Sequence, residues 1–163
     1  MEIFVGLGSN IGDREQHLRD ASNSLRKYEL TLRRSASLYI TEPRDYEEQP
    51  WFLNTVLEVD TQLPPLKLLE VCLEIEKQAG RIRDYSKGPR PVDLDILLYG
   101  SETMRTDELV LPHPRYAERR FVLIPLAEIA PDFRDPIRNL TISQLLKECT
   151  DTGEVRLHAP PLF

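Results

Sequence analysis

An α+β sandwich is the fold class the sequence predicts, and three observations predict it. Two segments repeat apolar residues at helical spacing: Leu18, Ala21, Leu25 and Tyr28, then Leu68, Leu69, Cys72, Leu73, Ile75 and Ala79. Short apolar or β-branched runs lie around them, at residues 3–7, 30–39 and 51–59 and in the run through Leu94, Ile96, Leu97 and Leu98. No repeat, low-complexity tract or linker interrupts the 163 residues, so residues 1–163 are expected to form one domain. The resulting order is β-α-β-β-α-β with additional C-terminal strands and short helices. That order predicts a ferredoxin-like sandwich, with helices on one face of a mostly antiparallel sheet.

The first strand, residues 3–7, runs into Gly6, Gly8 and Gly12 of G-L-G-S-N-I-G-D. The glycines do not fit a dinucleotide fingerprint, and no G-K-S/T ending makes a phosphate loop, so a tight strand-to-helix turn is favoured over direct phosphate binding. Asp13, with Gln16 three residues later, marks a helix start. Residues 30–39 read as a second strand. The polar stretch T-E-P-R-D-Y-E-E-Q-P at 41–50 reads as a loop, and its length is of the kind often used for function.

Residues 51–59 form a third strand interrupted by Asn54, which is either a satisfied core amide or a ligand-reading group; the strand does not choose between them. Pro64 and Pro65 open the second helix, and Gly80 closes it. Glu76, near that end, reads by default as a solvated surface glutamate. Further on come a short β region at 104–110, a short helix around 125–129 and an amphipathic helix at 142–148 starting after Thr141 or Ser143. The tail from Asp151 is expected to be loosely packed or an edge segment.

Charge bounds the function. The chain carries a net charge of −6, yet residues 80–91 hold four basic residues, Arg81, Arg83, Lys87 and Arg90, against the single acid Asp84. A local positive loop in an acidic protein fits a small polyanion better than a nucleic acid, which asks for a wider basic footprint. No run reaches the ~18 apolar residues of a membrane span. The N-terminus lacks a basic leader region, and Cys72 and Cys149 lack zinc spacing, so a cytoplasmic protein with two reduced thiols is expected.

The strongest chemical signal is Asp93 and Asp95. Side chains two apart on a strand share a face, so these carboxylates sit side by side and repel unless a cation lies between them. Mg²⁺, which takes one or two carboxylates plus substrate phosphates, fits that need. The arginine forks suit bidentate phosphate contacts, and a glycine-bearing loop of few apolar anchors is suited to closing over a polyphosphate. His113, held locally rigid in P-H-P, could reach a phosphate or the leaving group, although a structural histidine is the commoner case. His17 and His158 receive no role, and no Ser-His-Asp or Cys-His set supports a covalent intermediate.

These residues together resemble the 6-hydroxymethyl-7,8-dihydropterin pyrophosphokinase family of folate biosynthesis. The matching pieces are G-L-G-S-N-I-G-D at 6–13, Y-I-T-E-P at 39–43, Q-P-W-F-L-N at 49–54, G-R-I-R at 80–83, G-P-R-P-V-D-L-D-I-L-L-Y at 88–99 and L-P-H-P-R-Y-A-E-R-R-F-V-L-I-P-L-A-E-I-A-P at 111–131. The resemblance implies attack of the pterin hydroxymethyl oxygen on the β-phosphorus of ATP, giving AMP and the pterin diphosphate. It implies two Mg²⁺ ions on Asp93 and Asp95, and catalytic roles for Arg81, Arg83 and Arg90. It implies an ATP site of Glu76, Arg81, Arg83, Lys87, Arg90, His113 and Arg119. The implied pterin pocket is Thr41, Pro43, Phe52, Asn54 and Phe121, with the two phenyl rings sandwiching a flat heterocycle. That assignment makes Asn54 a ligand reader. Phe52 stands where some members carry Tyr, and Lys87 where some carry Trp.

The implied partners are the two small molecules, with no nucleic acid and no membrane, and the protein is expected to be a monomer. The rival readings are a ferredoxin-like nucleic-acid-binding module, which would show salt-dependent oligonucleotide binding, and another two-metal phosphotransferase, separable by substrate trials.

Overall fold

The computed structural model describes residues 1–43, 48–80 and 91–163. Arg81, Arg83, Lys87 and Arg90 lie outside the described residues, as do residues 44–47 of the expected loop. The elements run β1 (Ile3–Ser9), α1 (Arg14–Leu25), β2 (Leu30–Ser35), β3 (Leu38–Thr41), β4 (Phe52–Thr61), α2 (Pro65–Gln78) and β5 (Asp93–Tyr99). After them come β6 (Met104–Arg105) and β7 (Val110–Leu111), a single 3₁₀ turn at Tyr116–Glu118, α3 (Arg120–Ile129), α4 (Ile142–Glu148) and β8 (Val155–Ala159).

The main sheet has the order β5-β1-β4-β3-β8, with β2 also on β4, and every pairing in it is antiparallel. The segment at 30–39, expected as one strand, is two. A register shift between Leu32 and Arg34 breaks the ladder, after which Ala36 N–H donates to the Val56 carbonyl. The ten-residue β4 therefore pairs with β2 along its second half and with β3 along its first.

Helices cover both faces of the sheet, not one. Leu18, Ala21 and Leu25 of α1 and Leu68, Cys72 and Ile75 of α2 pack with Ile3, Val5, Leu7, Leu53, Leu57 and Val59. On the opposite face Val122, Leu123, Leu126 and Ile129 of α3 and Ile142 and Leu145 of α4 pack with Phe4, Val56, Leu97 and Leu98. The physical reason is the apolar content of the C-terminal third, whose two helices need their own sheet surface. Strand β4 answers by burying every residue from Leu53 to Val59, the signature of a strand covered twice.

A β-bulge sorts β5 between these faces. Val5 pairs with Ile96 but Phe4 with Leu98, so Leu97 is the extra residue. Leu97 and Leu98 both enter the second core, and Tyr99 returns to the first.

Caps fix the helix starts. Asp13 accepts from Gln16 N–H at 3.1 Å, and Thr141 forms a full capping box with Gln144. Pro65 opens α2, which ends at Gln78, and Gly80, at φ 86°, follows the C-cap Ala79. The tail resolves to the edge alternative: β8 pairs with β3.

Candidate functional site

The site grows from one row of the sheet. Gly8 of β1 is in register with Asn54 of β4 on one side and Asp93 of β5 on the other. Gly6 pairs likewise with Val56 and Asp95. Residues paired across an antiparallel ladder share a face, so Asp93, Asp95, Phe52 and Asn54 all lie on the α3 side of the sheet. The aspartates flank buried Leu94, which points the other way into the first core. Asp93 is half-buried and Asp95 exposed. The strand is thus buried through its leucines, while neither aspartate is buried.

The glycines of the first strand were assigned to a turn, but β1 continues through Ser9 and only residues 10–13 turn. The signal missed is their alternation: Gly6 and Gly8 are two apart, on one face. At Gly6 the absent side chain makes room for Leu97, whose methyl carbon lies 3.5 Å from where a Cβ would stand. At Gly8 a Cβ would meet Asn54 Oδ1 at 2.5 Å and Phe52 Cδ1 at 3.5 Å. Gly8 is what allows Asn54 and Phe52 to lean over β1, and a strand glycine of this kind marks close approach.

Asn54 is buried and donates its Nδ2–H to Thr41 Oγ1 at 2.6 Å. Thr41 pairs with Phe52 across β3 and β4, and Pro43 beyond it is buried. Sequence reasoning also missed Asn10 and Gln49. Asn10 Nδ2–H donates to Gln49 Oε1 at 2.6 Å and to the Pro50 carbonyl at 3.1 Å, while Arg14 holds the Trp51 carbonyl at 2.9 Å. These bonds tie the start of β4 to the β1–α1 turn.

Glu76 is not a surface glutamate: it is 4% exposed. Its Oε2 accepts from Leu94 N–H at 2.8 Å, joining α2 to the edge strand midway between the two aspartates. An acceptor on this edge of β5 holds the backbone that carries Asp93 and Asp95. Cys72, one turn earlier, has its thiol pushed up to about 12 by burial, with Glu76 and Asp95 adding, and is chemically inert.

His113 follows the cis peptide Leu111–Pro112, and its backbone N–H donates to the Leu97 carbonyl at 2.8 Å, which sets it beside β5. Its Nδ1 accepts from Arg115 N–H at 3.1 Å, so the ring proton resides on Nε2. Burial, reinforced by the charges of Arg119 and Arg115, lowers the imidazole to about 4. His113 is therefore a neutral Nε2–H donor at physiological pH. Arg119 stands at the start of α3, 5.7 Å from the centre of the Phe121 ring.

The 3₁₀ turn between His113 and Arg119 is anchored by fully buried Tyr116, whose hydroxyl donates to Asp135 Oδ2 at 2.5 Å. Burial opposes the Asp135 charge, but the bonds from Tyr116, from the Arg138 and Ile137 N–H groups and from the Arg138 side chain outweigh it and hold the carboxyl below its usual range.

The described parts of the sequence-predicted set come together as two groups. Asp93, Asp95 and Glu76 gather on or behind β5, with His113 next to it, while Thr41, Pro43, Phe52 and Asn54 gather at the ends of β3 and β4. Phe121, in the first turn of α3, sits on the helix that packs over β3 and β4. Among the described residues no three or more His, Cys, Asp or Glu converge as a closed metal cage. Two hard oxygen donors on one face, without sulfur or a ring nitrogen, suit Mg²⁺ with its remaining positions filled by water and phosphate. No helix among the described residues is long and apolar enough to cross a membrane.

The family model for 7,8-dihydro-6-hydroxymethylpterin-pyrophosphokinase (HPPK) matches residues 4–131. The 2-amino-4-hydroxy-6-hydroxymethyldihydropteridine pyrophosphokinase of Bacillus subtilis (strain 168) is 49% identical over 127 residues, covering 77% of this chain and 76% of that protein. The protein of the same name from Methylorubrum extorquens is 43% identical over 156 residues, covering 94% of this chain and 97% of that one. A crystal structure of wild-type Plasmodium falciparum HPPK-DHPS with pteroate shares the fold, at a TM-score of 0.71 and 17% identity over 90% of this chain; the chain spans 42% of that longer protein. With the family model running from β1 through the last turn of α3, and two curated relatives above 40% identity, the chain belongs to the 7,8-dihydro-6-hydroxymethylpterin-pyrophosphokinase family.

Proposed function

We propose that this chain transfers the pyrophosphoryl group of ATP to 6-hydroxymethyl-7,8-dihydropterin, forming the pterin diphosphate and AMP in folate biosynthesis. The observation that carries the site assignment is the shared sheet face, on which Asp93 and Asn54 flank Gly8 in one row. Two strand spacings, about 10 Å, separate the backbones of β4 and β5, a span suited to one flat heterocycle with its substituent pointing at the carboxylates.

Asp93 and Asp95 would hold two Mg²⁺ ions, which when bound neutralise phosphate charge and favour in-line displacement. Asn54 and the backbone near Thr41 read the donor–acceptor edge of the pterin, and Phe52 and Phe121 stack on its faces. His113 donates from Nε2 to a phosphate oxygen, and its lowered basicity keeps it a neutral donor. Arg119 contributes fixed positive charge, and Arg81, Arg83, Lys87 and Arg90 are assigned to ATP on the family resemblance. The hydroxymethyl oxygen bonds to the β-phosphorus, the bond from that phosphorus to the α-phosphate's bridging oxygen breaks, and the hydroxyl proton passes to solvent. Loose phosphoryl-type transition states need little base assistance, so positioning carries the reaction.

The element order β1-α1-β2/β3-β4-α2-β5 supports a ferredoxin-like reading of the sandwich. A single domain over residues 1–163 is supported by Leu162 packing in the first core and by the Arg19 bond to its carbonyl at 3.4 Å. The nucleic-acid reading is disfavoured because helices cover both sheet faces, which removes the open stacking platform it needs.

The test is product identification by mass with ATP, Mg²⁺ and the hydroxymethyl dihydropterin. AMP and a pterin diphosphate are expected; ADP, or ATP turnover indifferent to the pterin, refutes the reading.

A further inference from the structure

The first turn of α3 has an N-terminus without a cap of its own. Its N-cap residue, Arg119, offers no side-chain acceptor, which leaves the Arg120 N–H for an outside partner. Asp151, thirty-one residues away, supplies one: its Oδ2 accepts from Arg120 N–H at 2.9 Å. The other carboxylate oxygen closes its own turn by accepting from Gly153 N–H at 2.8 Å. The Gly153 carbonyl then accepts from the Arg120 guanidinium at 3.3 Å, so the turn grips Arg120 at backbone and side chain.

The next residue reaches the opposite wall. Glu154 and Glu42 exchange two bonds: Glu42 N–H to the Glu154 carbonyl at 3.1 Å, and Glu154 N–H to Glu42 Oε1 at 2.7 Å. The pairing continues into β8, where Val155 is in register with Thr41. Four consecutive residues thus join the residue before Phe121 to the residue between Thr41 and Pro43.

We propose that this turn, Asp151 through Glu154, is a positioning element of the pterin site. It sets the spacing between Phe121 on α3 and the Thr41–Pro43 wall at the end of β3. The inference rests on the pterin assignment made above, and the turn lies outside the 4–131 span that matches the family model. Two aromatic walls grip a flat ring only at the right separation, and small displacements are expensive: a misplacement of about 1 Å can slow a reaction by up to ~100-fold. The charge of Asp151 suits its place, since a carboxylate at a helix N-terminus is favoured by the helix dipole as well as by the bond.

Among the described residues, these bonds run from the turn to Arg120 and Glu42, on the two walls of the pterin site. Its loss should therefore weaken the pterin selectively. The experiment measures the dissociation constant of the hydroxymethyl pterin by fluorescence titration, and that of a non-hydrolysable ATP analogue with Mg²⁺ by calorimetry, in wild type, Asp151→Ala and Glu42→Ala. About a tenfold loss of pterin affinity, equivalent to ~1.4 kcal/mol, is expected in each variant, with analogue affinity within about twofold of wild type. Asp151→Asn keeps one acceptor oxygen and should fall between, and it decides the matter if the alanine variant does not fold. Unchanged pterin affinity in the variants, or equal losses for both ligands, overturns the positioning role and leaves an ordinary structural tie. A wild-type protein that does not bind the pterin at all instead overturns the functional reading on which the proposal stands.

Discussion

Replacing Gly8 with alanine adds one methyl group where two pterin-site side chains crowd β1. The new carbon would stand 2.5 Å from Asn54 Oδ1, well inside any real contact, so the amide must rotate or β4 must shift. Either movement breaks the 2.6 Å bond from Asn54 Nδ2 to Thr41 Oγ1, in a place where neither group has ready access to water. A lost buried bond with its partners left unsatisfied costs ~1–3 kcal/mol. The lower entropy of the unfolded alanine chain returns ~0.4–1 kcal/mol. The net loss of about 1–2 kcal/mol lowers the melting temperature by ~2–8 °C for a chain of this size. Function should suffer more selectively than stability. The displaced amide is the group assigned to read the pterin edge, so pterin KM should rise by about one to two orders of magnitude at ~1.4 kcal/mol per decade. The KM for ATP should stay within about twofold, because Asp93 on the other side of Gly8 is not in the clash. The assay is steady-state AMP formation with each substrate varied in turn, beside a thermal melt. A double variant sharpens it: Asn54→Ala removes the clashing oxygen, so adding Gly8→Ala to it should cost little more, a strongly non-additive cycle. Wild-type pterin KM in Gly8→Ala, or full additivity with Asn54→Ala, would refute the reasoning.

Three further outcomes are expected. Asp95→Asn should reduce Mg²⁺-dependent turnover at least ~1,000-fold while the chain still folds, since Asp95 is exposed; activity near wild type would remove the metal role. Glu76→Ala should cost ~1.5–3 kcal/mol of stability by orphaning the Leu94 N–H, and should lower turnover through the strand that carries both aspartates, whereas Glu76→Gln, which keeps an acceptor, should recover most of the stability. His113 is held neutral with its folded value at about 4 against an ordinary 6.5. The unfolded chain takes up a proton first as pH falls, so stability is fully present above about 6.5 and is lost progressively toward 4. The shift corresponds to at most about 3 kcal/mol, and solvent screening of a partly open ring reduces that to ~1–2 kcal/mol. Melting curves from pH 7.5 to 4.5 should show that loss in wild type and a smaller one in His113→Gln.

What the sequence made legible follows from which interactions are local. Helical spacing at 18–28 and 68–79, the Asp13 and Thr141 caps and the Pro64–Pro65 start are set by neighbours in the chain, and the helices start where those signals put them, although α1 ends at Leu25, before Tyr28, and α2 at Gln78. The same-face placement of Asp93 and Asp95 followed from the two-residue period of a strand. The errors sit where a partner decides. Whether residues 30–39 make one strand or two depends on a β4 long enough to pair with both. Helices on both faces could not be read from apolar content alone, because Leu97 and Leu98 reach one core only through a bulge in register with β1. Glu76 looked solvated because nothing near it in the chain reveals that α2 ends against an edge strand with an N–H to satisfy. Asn54 was ambiguous for the same reason: its meaning depends on a glycine forty-six residues earlier.

The two glycines of β1 separate packing from function by what fills the space each leaves. A glycine inside a strand costs roughly 0.5–1 kcal/mol relative to alanine, so two of them two residues apart call for a cause. At Gly6 the cause is structural, since the leucine from the bulge covers it at ordinary van der Waals distance. An alanine there meets only flexible methyl groups and should be tolerated, with both KM values near wild type. At Gly8 the space is taken by a polar amide and an aromatic edge, neither of which needs a glycine for the sake of the core. Contrasting Gly6→Ala with Gly8→Ala therefore isolates the pterin arrangement from the general effect of stiffening β1. Equal losses of pterin affinity in the two variants would mean that the strand as a whole, and not the lean of Asn54 and Phe52 over it, sets the site.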